Sequence, residues 1–352
     1  MAPLRVHIPT DSHSTGRGIG FYTSNLIDAL KKIKDIKLVD TQPDLIHYPY
    51  FDLFYPTLNP PKNIPSIVTI HDVTPLVLSR FYPKGIKGRF NLFKQKQALK
   101  RVTAVITDSD NSRQDIIKHL RVPENKIHVT PLAVDPFYAK PVSSKAISEV
   151  KAKYSLPDVF LLYVGGVNPN KNLPRLIKAV TKLNLPLVLV GSEFTRPTPP
   201  ISSLKAKLGL QSVHPELKDL RFIKHSLETN PLLHALGFVS NQDLSAIYRL
   251  ALAYCQPSLY EGFGLPVLEA MSAGCLIVGS NQSSLPEIYP PQAITFDPKS
   301  TRSMLNALKK VIGLKPKDRE TLIKLGLERS KDFSWDATAG LTATVYSLAK
   351  NT

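Results

Sequence analysis

The chain has 352 residues, of which 43% are hydrophobic and 21% charged, and its formal net charge is +17. This length exceeds what one hydrophobic core usually serves, so two domains are expected. No apolar run approaches the roughly 20 residues of a membrane-spanning helix, and the opening stretch MAPLRVHIPT fits a first strand better than a signal peptide. The cysteines, Cys255 and Cys275, lie in separate apolar segments, which favours buried free thiols and a cytoplasmic location.

Short apolar or β-branched runs alternate with amphipathic helical patterns along the chain. Predicted strands span 4–8, 44–48, 66–70, 103–107 and 126–130, then 159–165, 186–191, 252–258 and 275–280. Predicted helices span 20–32, 86–101, 111–120, 173–183, 241–250 and 265–273. Repeated strand and helix alternation predicts a doubly wound α/β sheet, and here it occurs twice.

The domain boundary is expected in the Pro- and Ser-containing stretch around residues 135–157, which lacks strand character. We therefore predict an N-terminal domain over 1–145, a C-terminal domain over 146–332, and a last helix within 333–352 that packs back toward the first domain. Two such domains would direct the loops that follow their strands into a shared cleft. The segment 193–230 is predicted to contain an insertion and one helix, and it indicates no function.

Two loops in the first part follow predicted strands. In TDSHSTGRGIG, Gly16, Gly18 and Gly20 precede a helix whose first amides could approach a phosphate or a sugar hydroxyl, although a flexible turn would use the same glycines. Apart from Asp40 and Asp44, no acidic residue closes a second strand about 20 residues further on, which disfavours NAD. In TIHDVTP, His71 and Asp72 end a strand, and the pair is either a structural cap or part of an active site.

A basic segment, Arg80–Arg101, contains eight Lys or Arg residues and no acid. If it is helical from Ile86, Phe90 and Phe93 share a face, a pattern typical of a helix that binds an anionic membrane surface. The alternative is a solvated helix whose phenylalanines belong to the core. Nucleic-acid binding is disfavoured because both halves of the chain are similarly basic. The cations predicted on the other faces are Lys87, Lys94 and Lys96.

The run LLYVGGVNPNKNLPRLIKAV follows the first strand of the second part. Gly165 and Gly166 end this strand, and the turn delivers Lys171 just before a helix. A lysine at a glycine turn beside a helix amino terminus supplies a positive charge for a diphosphate. The alternative is a solvated lysine in an ordinary turn.

The run YEGFGLPVLEAM combines two carboxylates with a glycine turn. A helix is predicted to begin near Leu265, so that the amides of Phe263, Gly264 and Leu265 could bind an anion. Glu261 would then lie at the sugar end of a nucleotide-sugar, and Glu269, one turn into the helix, at its ribose.

The segment EGFGLPVLEAMSAGCLIVGSNQSSLPEI resembles the signature of the retaining glycosyltransferases of family 4, which have the GT-B fold. Other blocks resemble the family in order, among them GIGFYTSNLIDAL, TIHDVTPL, KIHVTPLAVD and LGFVSNQDLSAIYRLA. Within the family, the chain is most similar to bacterial mannosyltransferases of polysaccharide biosynthesis. The resemblance implies that Glu261 contacts the transferred hexose, Glu269 the ribose and Lys171 the diphosphate, while His71 lies beside the sugar.

The activity implied by the resemblance is metal-independent, retaining transfer of a hexose, with GDP-mannose as the expected donor and a glycan or lipid-linked acceptor. A UDP-sugar with a soluble acceptor is the alternative. An epimerase with a related fold and a non-catalytic basic scaffold at a membrane are more distant ones. An enzyme that binds the membrane would lie at its inner face.

Two departures from the family pattern concern the nucleotide site. Many members have an arginine where this chain has Gly166, so the second phosphate cation would come from Arg175, from Arg17 or from backbone amides alone. The text YPPQAITFDP also lacks the usual Gly-Asp. Neither departure removes the two glutamates or Lys171.

Overall fold

The computed structural model describes residues 2–10, 18–197 and 215–350. Residue contacts divide the chain into two units, one formed by Met1–Ala133 with Phe333–Thr352 and the other by Val134–Asp332. The division therefore lies before the boundary at residue 145 that the sequence suggested. The reason is that the turn Pro136–Ala139 contacts the helix Leu265–Ser272 of the second unit, and Arg249 of that unit donates to the carbonyls of Tyr138 and Lys140. A helix not predicted from the sequence, Ser144–Lys153, follows this turn and packs against the helix Asn241–Leu250.

The first unit contains a six-stranded, fully parallel sheet with the strand order β2-β1-β3-β4-β5-β6. Both faces of its central strands β4 and β5 are buried, as their continuous apolar sequences require. The strands are β1 (Leu4–His7), β2 (Ile36–Leu38), β3 (Leu45–Tyr48), β4 (Ser66–Thr69), β5 (Ala104–Thr107) and β6 (Ile127–Val129). The helices are α1 (Ile19–Leu30), α2 (Thr74–Val77), α3 (Ile86–Leu99) and α4 (Asp110–Leu120), and the last helix of the chain, Trp335–Lys350, packs against α1.

The second unit contains another six-stranded parallel sheet, with the order β12-β11-β10-β7-β8-β9. Its strands are β7 (Leu161–Val164), β8 (Leu187–Val190), β9 (Leu233–Gly237), β10 (Ala253–Gln256), β11 (Ile277–Ser280) and β12 (Ile294–Phe296). Its helices are α5 (Ser144–Lys153), α6 (Leu173–Lys182), α7 (Pro215–Thr229), α8 (Asn241–Leu250), α9 (Leu265–Ser272), α10 (Leu285–Ile288), α11 (Thr301–Ile312) and α12 (Pro316–Ser330). We label the last helix of the chain, Trp335–Lys350, α13.

The prediction of two doubly wound α/β domains is confirmed, and each predicted strand and helix has a counterpart. Three strands, β2, β9 and β12, were not predicted. All three lie at sheet edges, where one side of the strand has no neighbour, so a short and half-buried sequence suffices. Their sequences therefore lack the continuous apolar run that marks a central strand.

Two expectations from composition can be compared with the structure. Cys255 and Cys275 are buried free cysteines, as predicted. Across the described ranges, none of the helices combines the length and the apolar character needed to cross a bilayer.

Candidate active site

Glu261 follows strand β10 and is largely buried, with 8% of the residue exposed. The Lys171 ammonium donates to both of its carboxylate oxygens, at 2.8 and 2.9 Å. Gln256 donates to the same carboxylate at 2.6 Å, and the Ser258 hydroxyl also donates to it. The carboxylate is thus paired with a cation and fixed by neutral donors, which is what burial of an ionised group requires.

The backbone around Glu261 is tied to the loop that follows strand β11. The Glu261 amide donates to Ser283 Oγ at 2.9 Å, and Ser284 Oγ lies 3.0 Å from the Glu261 carbonyl and 2.8 Å from that of Phe263. Ser283 itself has a φ of 57°, in the left-handed region. The loops after two adjacent strands, β10 and β11, are therefore hydrogen-bonded to each other through the backbone of the residue that carries the carboxylate.

Two asparagines explain how Lys171 reaches Glu261 from the neighbouring strand β7. Asn170 Nδ2 donates to the Tyr260 carbonyl at 3.0 Å. Asn172, with a φ of 57°, donates at 2.9 Å to the carbonyl of Pro257 and at 2.9 Å to that of Pro298. Both are buried, so the turn that carries Lys171 is fixed to the loop after β10 on each side of the lysine.

The glycine pair before this turn is sterically constrained. Gly165 has a φ of 150°, and a Cβ there would lie 2.8 Å from the Tyr163 hydroxyl. That hydroxyl donates to the Gly166 carbonyl at 2.7 Å. The Glu193 carboxylate accepts the Val167 amide at 2.8 Å, and a Cβ on Gly166 would lie 3.1 Å from it. The position where the family resemblance implies an arginine is therefore bordered by a carboxylate.

Two arginines, Arg175 and Arg17, were suggested by the sequence as a second cation for the phosphates. Arg175 donates to Asn172 Oδ1 at 3.0 Å and to the Pro298 carbonyl at 2.5 Å, so its guanidinium is used in fixing the loops. Arg17 lies outside the described residues, as does Gly16. The two hydrogen bonds of the Arg175 guanidinium do not favour Arg175 as a phosphate ligand.

Helix α9 begins at Leu265, as the sequence predicted. Gly264 precedes it with a φ of 129°, and a Cβ there would approach Leu285 Cδ2 to 2.8 Å, so only glycine fits without rearrangement. Phe263 is buried beside it. The binding of an anion by the amides of Phe263, Gly264 and Leu265 stays a prediction.

Glu269 lies one turn into α9 and is partly buried. The Tyr248 hydroxyl donates to its Oε2 at 2.9 Å. Burial raises the pKa of Glu269 from 4.5 to about 7, and the nearby Asp135 adds to this rise, while the bond from Tyr248 opposes it. Near neutral pH this carboxyl is poised between its two protonation states.

We predict that replacing Glu269 with glutamine stabilises the protein at alkaline pH. Because the pKa is raised in the folded state, the folded protein binds more protons than the unfolded chain between pH 4.5 and about 7. The contribution of the protonated Glu269 carboxyl to the free energy of unfolding is thus complete below pH 4.5, and it is lost as pH rises to about 7. One pKa unit corresponds to about 1.4 kcal/mol, so the free energy of unfolding of Glu269→Gln at pH 8 should exceed that of the wild type by on the order of 1–3 kcal/mol.

Scanning calorimetry at pH 5 and pH 8 measures this effect. The variant should have a Tm close to that of the wild type at pH 5 and a higher Tm at pH 8. Glu320→Gln, which removes an exposed carboxylate from α12, serves as the control and should show no such divergence. Equal Tm differences at the two pH values would contradict the raised pKa.

His71 lies two residues after β4 in the first unit. Its Nδ1 is 2.9 Å from Oδ2 of the buried Asp108, and its ring stands perpendicular to that of Tyr22 at 4.7 Å. Burial alone would lower the pKa of His71, but Asp108, together with Asp72 and the backbone of Pro49, raises it above the usual value. Nε2 is buried and has no hydrogen-bond partner within the described part of the chain.

Asp72 has a structural contact and also lines a cavity. Its Oδ1 accepts the Thr74 amide at 2.7 Å, which is the capping role that the sequence left open. It also lines, together with His71, a cavity of about 180 Å³. The other lining residues are Tyr50, Phe51, Asp52, Leu53, Phe54 and Pro75. The capping contact and the position beside His71 are therefore compatible.

The glycine loop after β1 differs in one detail from the prediction. Gly18 precedes α1 with a φ of 87°, and an added Cβ would meet no described atom within 4 Å. Gly20 lies inside α1 and not before it, because the helix begins at Ile19. Of the three predicted glycines, only Gly18 is thus seen in the segment that leads into the helix.

Several site residues were missed by sequence reasoning. Asp108 follows β5 as His71 follows the adjacent β4, so the rule that ligand loops follow parallel strands could have found it. Gln256 is the last residue of β10 and Ser258 follows that strand, so the same rule could have found both. Ser283, Glu193 and Tyr248 carry no signal that separates them from ordinary polar residues.

Two doubly wound parallel-sheet units are the architecture of the GT-B class of glycosyltransferases. HepE from Anabaena, in complex with UDP and glucose, has a similar fold, with a TM-score of 0.69, 15% identity and coverage of 98% of this chain and 99% of HepE. The family profile "Glycosyl transferases group 1" matches residues 146–329, and "Glycosyltransferase Family 4" matches residues 3–137. The chain belongs to glycosyltransferase family 4.

Its relatives include bacterial mannosyltransferases. The chain is 28% identical over 323 residues to the serotype-specific mannosyltransferase WbdA of Escherichia coli, a match that covers 89% of this chain and 38% of WbdA. It is 30% identical over 293 residues to the O-antigen chain mannosyltransferase B of Escherichia coli, covering 80% of this chain and 70% of that protein. The chain thus spans little more than a third of the length of WbdA.

Proposed function

We propose that this glycosyltransferase moves mannose from GDP-mannose to a hydroxyl of a glycan or lipid-linked acceptor, with retention and without a metal ion. The observation that carries the proposal is the Lys171–Glu261 pair, held between a glycine turn and the start of α9. Both relatives described above are named mannosyltransferases, which supports mannose. Retention and the absence of a metal rest on the family resemblance alone.

In the proposed reaction, Lys171 and Glu261 act on opposite ends of the scissile bond. Glu261 is fixed in one orientation and would accept hydrogen bonds from hydroxyls of the hexose. Lys171, 22% exposed at its side chain, would donate to the leaving diphosphate and neutralise the charge that develops there. The acceptor hydroxyl would attack the anomeric carbon and lose its proton to the departing phosphate oxygen. His71, held by Asp108, would lie beside the transferred sugar.

The donor is tested by nucleotide release. Purified protein, together with membrane and glycan fractions as acceptors, is incubated with GDP-mannose or UDP-glucose, and GDP or UDP is quantified. We expect release from GDP-mannose, and a thermal shift with GDP that exceeds the shift with UDP. Because HepE binds UDP, the opposite preference is the specific alternative, and release from UDP-glucose alone would overturn the mannosyl proposal.

We also propose that helix α3 binds an anionic membrane surface. Ile86, Phe90 and Phe93 are 90%, 56% and 59% exposed. At about 100° per residue they fall within a sector of about 60°, opposite the buried Gln95, Ala98 and Leu99. Outward aromatic and aliphatic side chains of this kind enter the boundary between lipid headgroups and acyl chains.

Cations flank this apolar sector on both sides. Lys87 and Lys94 lie on one side and Arg89 on the other, and all three are exposed. The Lys94 ammonium lies 4.5 Å from the centroid of the Phe90 ring. Lys96, expected from the sequence to contribute, donates instead to the His119 carbonyl at 2.7 Å. The charges directed at an anionic lipid are therefore Lys87, Arg89 and Lys94.

The loop that contains Asp52 and Phe54 contacts α3 and also lines the cavity beside His71. This proximity supports a lipid-linked acceptor over a soluble one. Gln95 Nε2 donates to the Asp52 carbonyl, and Asn91 Nδ2 to the Phe54 carbonyl, each at 2.7 Å. Asp52 and Phe54 also line that cavity. If the acceptor occupies this cavity, a membrane bound at α3 would lie one loop away from it.

Reversing the three flanking charges should abolish membrane binding. Each cation near an anionic leaflet contributes about 1 kcal/mol, so the variant Lys87→Glu/Arg89→Glu/Lys94→Glu should not sediment with vesicles that contain phosphatidylglycerol. Wild-type binding should weaken as salt rises, because exposed charges are screened over about 8 Å at physiological ionic strength. Nucleotide binding, which we assign to the second unit, should be unchanged.

The matched control is Lys309→Glu/Lys310→Glu/Lys317→Glu, which makes the same charge change at exposed positions of α11 and α12. It should keep vesicle binding. Equal loss in both triple variants would reduce the effect to net charge. A wild-type protein that does not sediment with these vesicles even at low salt would refute the membrane proposal and favour a soluble acceptor.

A further inference from the structure

The last helix, α13, is bonded to the sheet of the first unit through a buried histidine. The Tyr346 hydroxyl lies 2.7 Å from His47 Nδ1, and His47 Nε2 lies 2.7 Å from Thr69 Oγ1. Thr69 Oγ1 in turn lies 2.9 Å from the Tyr22 hydroxyl. Each of these four residues is at most 1% exposed. A continuous chain of hydrogen bonds therefore runs from α13 across β3 and β4 to α1.

This series of hydrogen bonds ends beside His71. Thr69 is the last residue of β4, two residues before His71, and the Tyr22 ring stands perpendicular to the His71 ring at 4.7 Å. Asp108 holds the same ring at Nδ1. The imidazole of His71 is thus fixed at one nitrogen by the Asp108 carboxylate and on its ring by Tyr22. The hydroxyl of Tyr22 is in turn held by the hydrogen-bond network.

A polar network is an unusual way to attach a helix to a sheet. Burial, with a smaller contribution from His71, lowers the pKa of His47 to about 3, so this imidazole is neutral and has one donor and one acceptor nitrogen. Apolar side chains of the same volume would pack at no desolvation cost. A satisfied buried network instead favours one packing of its members, because displacing any of them leaves a buried donor or acceptor unpaired.

We infer that Tyr346 and His47 are positioning residues for His71, so that the last helix of the chain fixes the geometry of a group in the proposed transfer reaction. The inference rests on the role proposed above for His71. Tyr346 is fully buried and would act on His71 only through His47, Thr69 and Tyr22. The second unit, where we place the nucleotide, is not part of this network.

The test is a double-mutant cycle on kcat and donor KM for GDP release from GDP-mannose. Tyr346→Phe deletes only the terminal hydroxyl and should lower kcat about five- to tenfold with an unchanged KM for GDP-mannose. His71→Ala should lower kcat at least tenfold. In the His71→Ala background, Tyr346→Phe should have no further effect on kcat, because the group that it positions is missing.

Thr338→Val is the matched control. The Thr338 hydroxyl is buried on the same helix and donates to the Pro131 carbonyl at 2.6 Å, but it has no bond to the network. Its loss should lower Tm comparably to Tyr346→Phe while kcat stays at the wild-type value.

Three results would overturn the inference. The first is an equal effect of Tyr346→Phe and Thr338→Val on kcat, and the second is an undiminished effect of Tyr346→Phe in the His71→Ala background. In both cases a large effect of His71→Ala itself would leave the proposed function standing. The third is wild-type kcat in His71→Ala, which would refute the role of His71 and, with it, the reason for positioning it.

Discussion

Lys171→Ala should lower kcat for hexosyl transfer by about 10²-fold or more, because one preorganised charge that stabilises the leaving group in the transition state is lost. Because Lys171 is paired with Glu261, this variant has two effects and not one. The ammonium donates to both oxygens of a largely buried carboxylate, so the variant loses the phosphate contact and also leaves Glu261 without its cation. Methionine, which keeps most of the unbranched side chain but carries no charge, should restore no activity.

Single-turnover kinetics with GDP-mannose measure the effect, and Tm reports any cost of the unpaired carboxylate. Lys182→Ala, an exposed lysine at the end of α6, is the control and should retain wild-type turnover. The double variant Lys171→Met/Glu261→Gln should recover stability but not kcat. Near-normal turnover in Lys171→Ala would show that the lysine only neutralises Glu261.

Glu269→Ala should weaken donor binding by roughly 1.5–3 kcal/mol, since a carboxylate that accepts both ribose hydroxyls forms charge-assisted hydrogen bonds. Calorimetric titration with GDP and GDP-mannose at pH 8 measures this loss. Wild-type affinity should decline below about pH 7, where Glu269 becomes protonated, and Glu269→Gln should not show this decline. Unchanged nucleotide affinity in Glu269→Ala would remove Glu269 from the ribose site.

The sequence predicted the central parts of the fold well, for a physical reason. Strands such as SIVT and AVIT are buried on both faces, so their sequences are continuously apolar and stand out from the neighbouring helices. Edge strands such as Ile36–Leu38 lack this signal, because burial does not constrain every residue in them. Helix α5 was missed because Pro and Ser near its start also suit a linker.

The candidate site was only partly predictable. Glycines and charged residues after apolar strands mark where a ligand would lie, which is how Lys171 and Glu261 were found. Their ion pair could not be predicted, because it depends on Asn170 and Asn172 bonding to carbonyls far along the chain. The network behind His71 was equally hidden, since Tyr346 and His47 are separated by almost the entire sequence and meet only through the packing of α13.

The first unit is assembled from two separate stretches of chain, and this has a consequence for synthesis. The ribosome delivers strands β1 to β6 first, then all of residues 134–332, and only then α13. At translation rates of about 5–20 residues per second, the sheet waits on the order of ten seconds or more for its last helix. During that interval His47 has no Tyr346, and the side of α1 that contacts α13 is uncovered. The face of α1 that packs against α13 is therefore exposed on the nascent chain until the last helix has been synthesised.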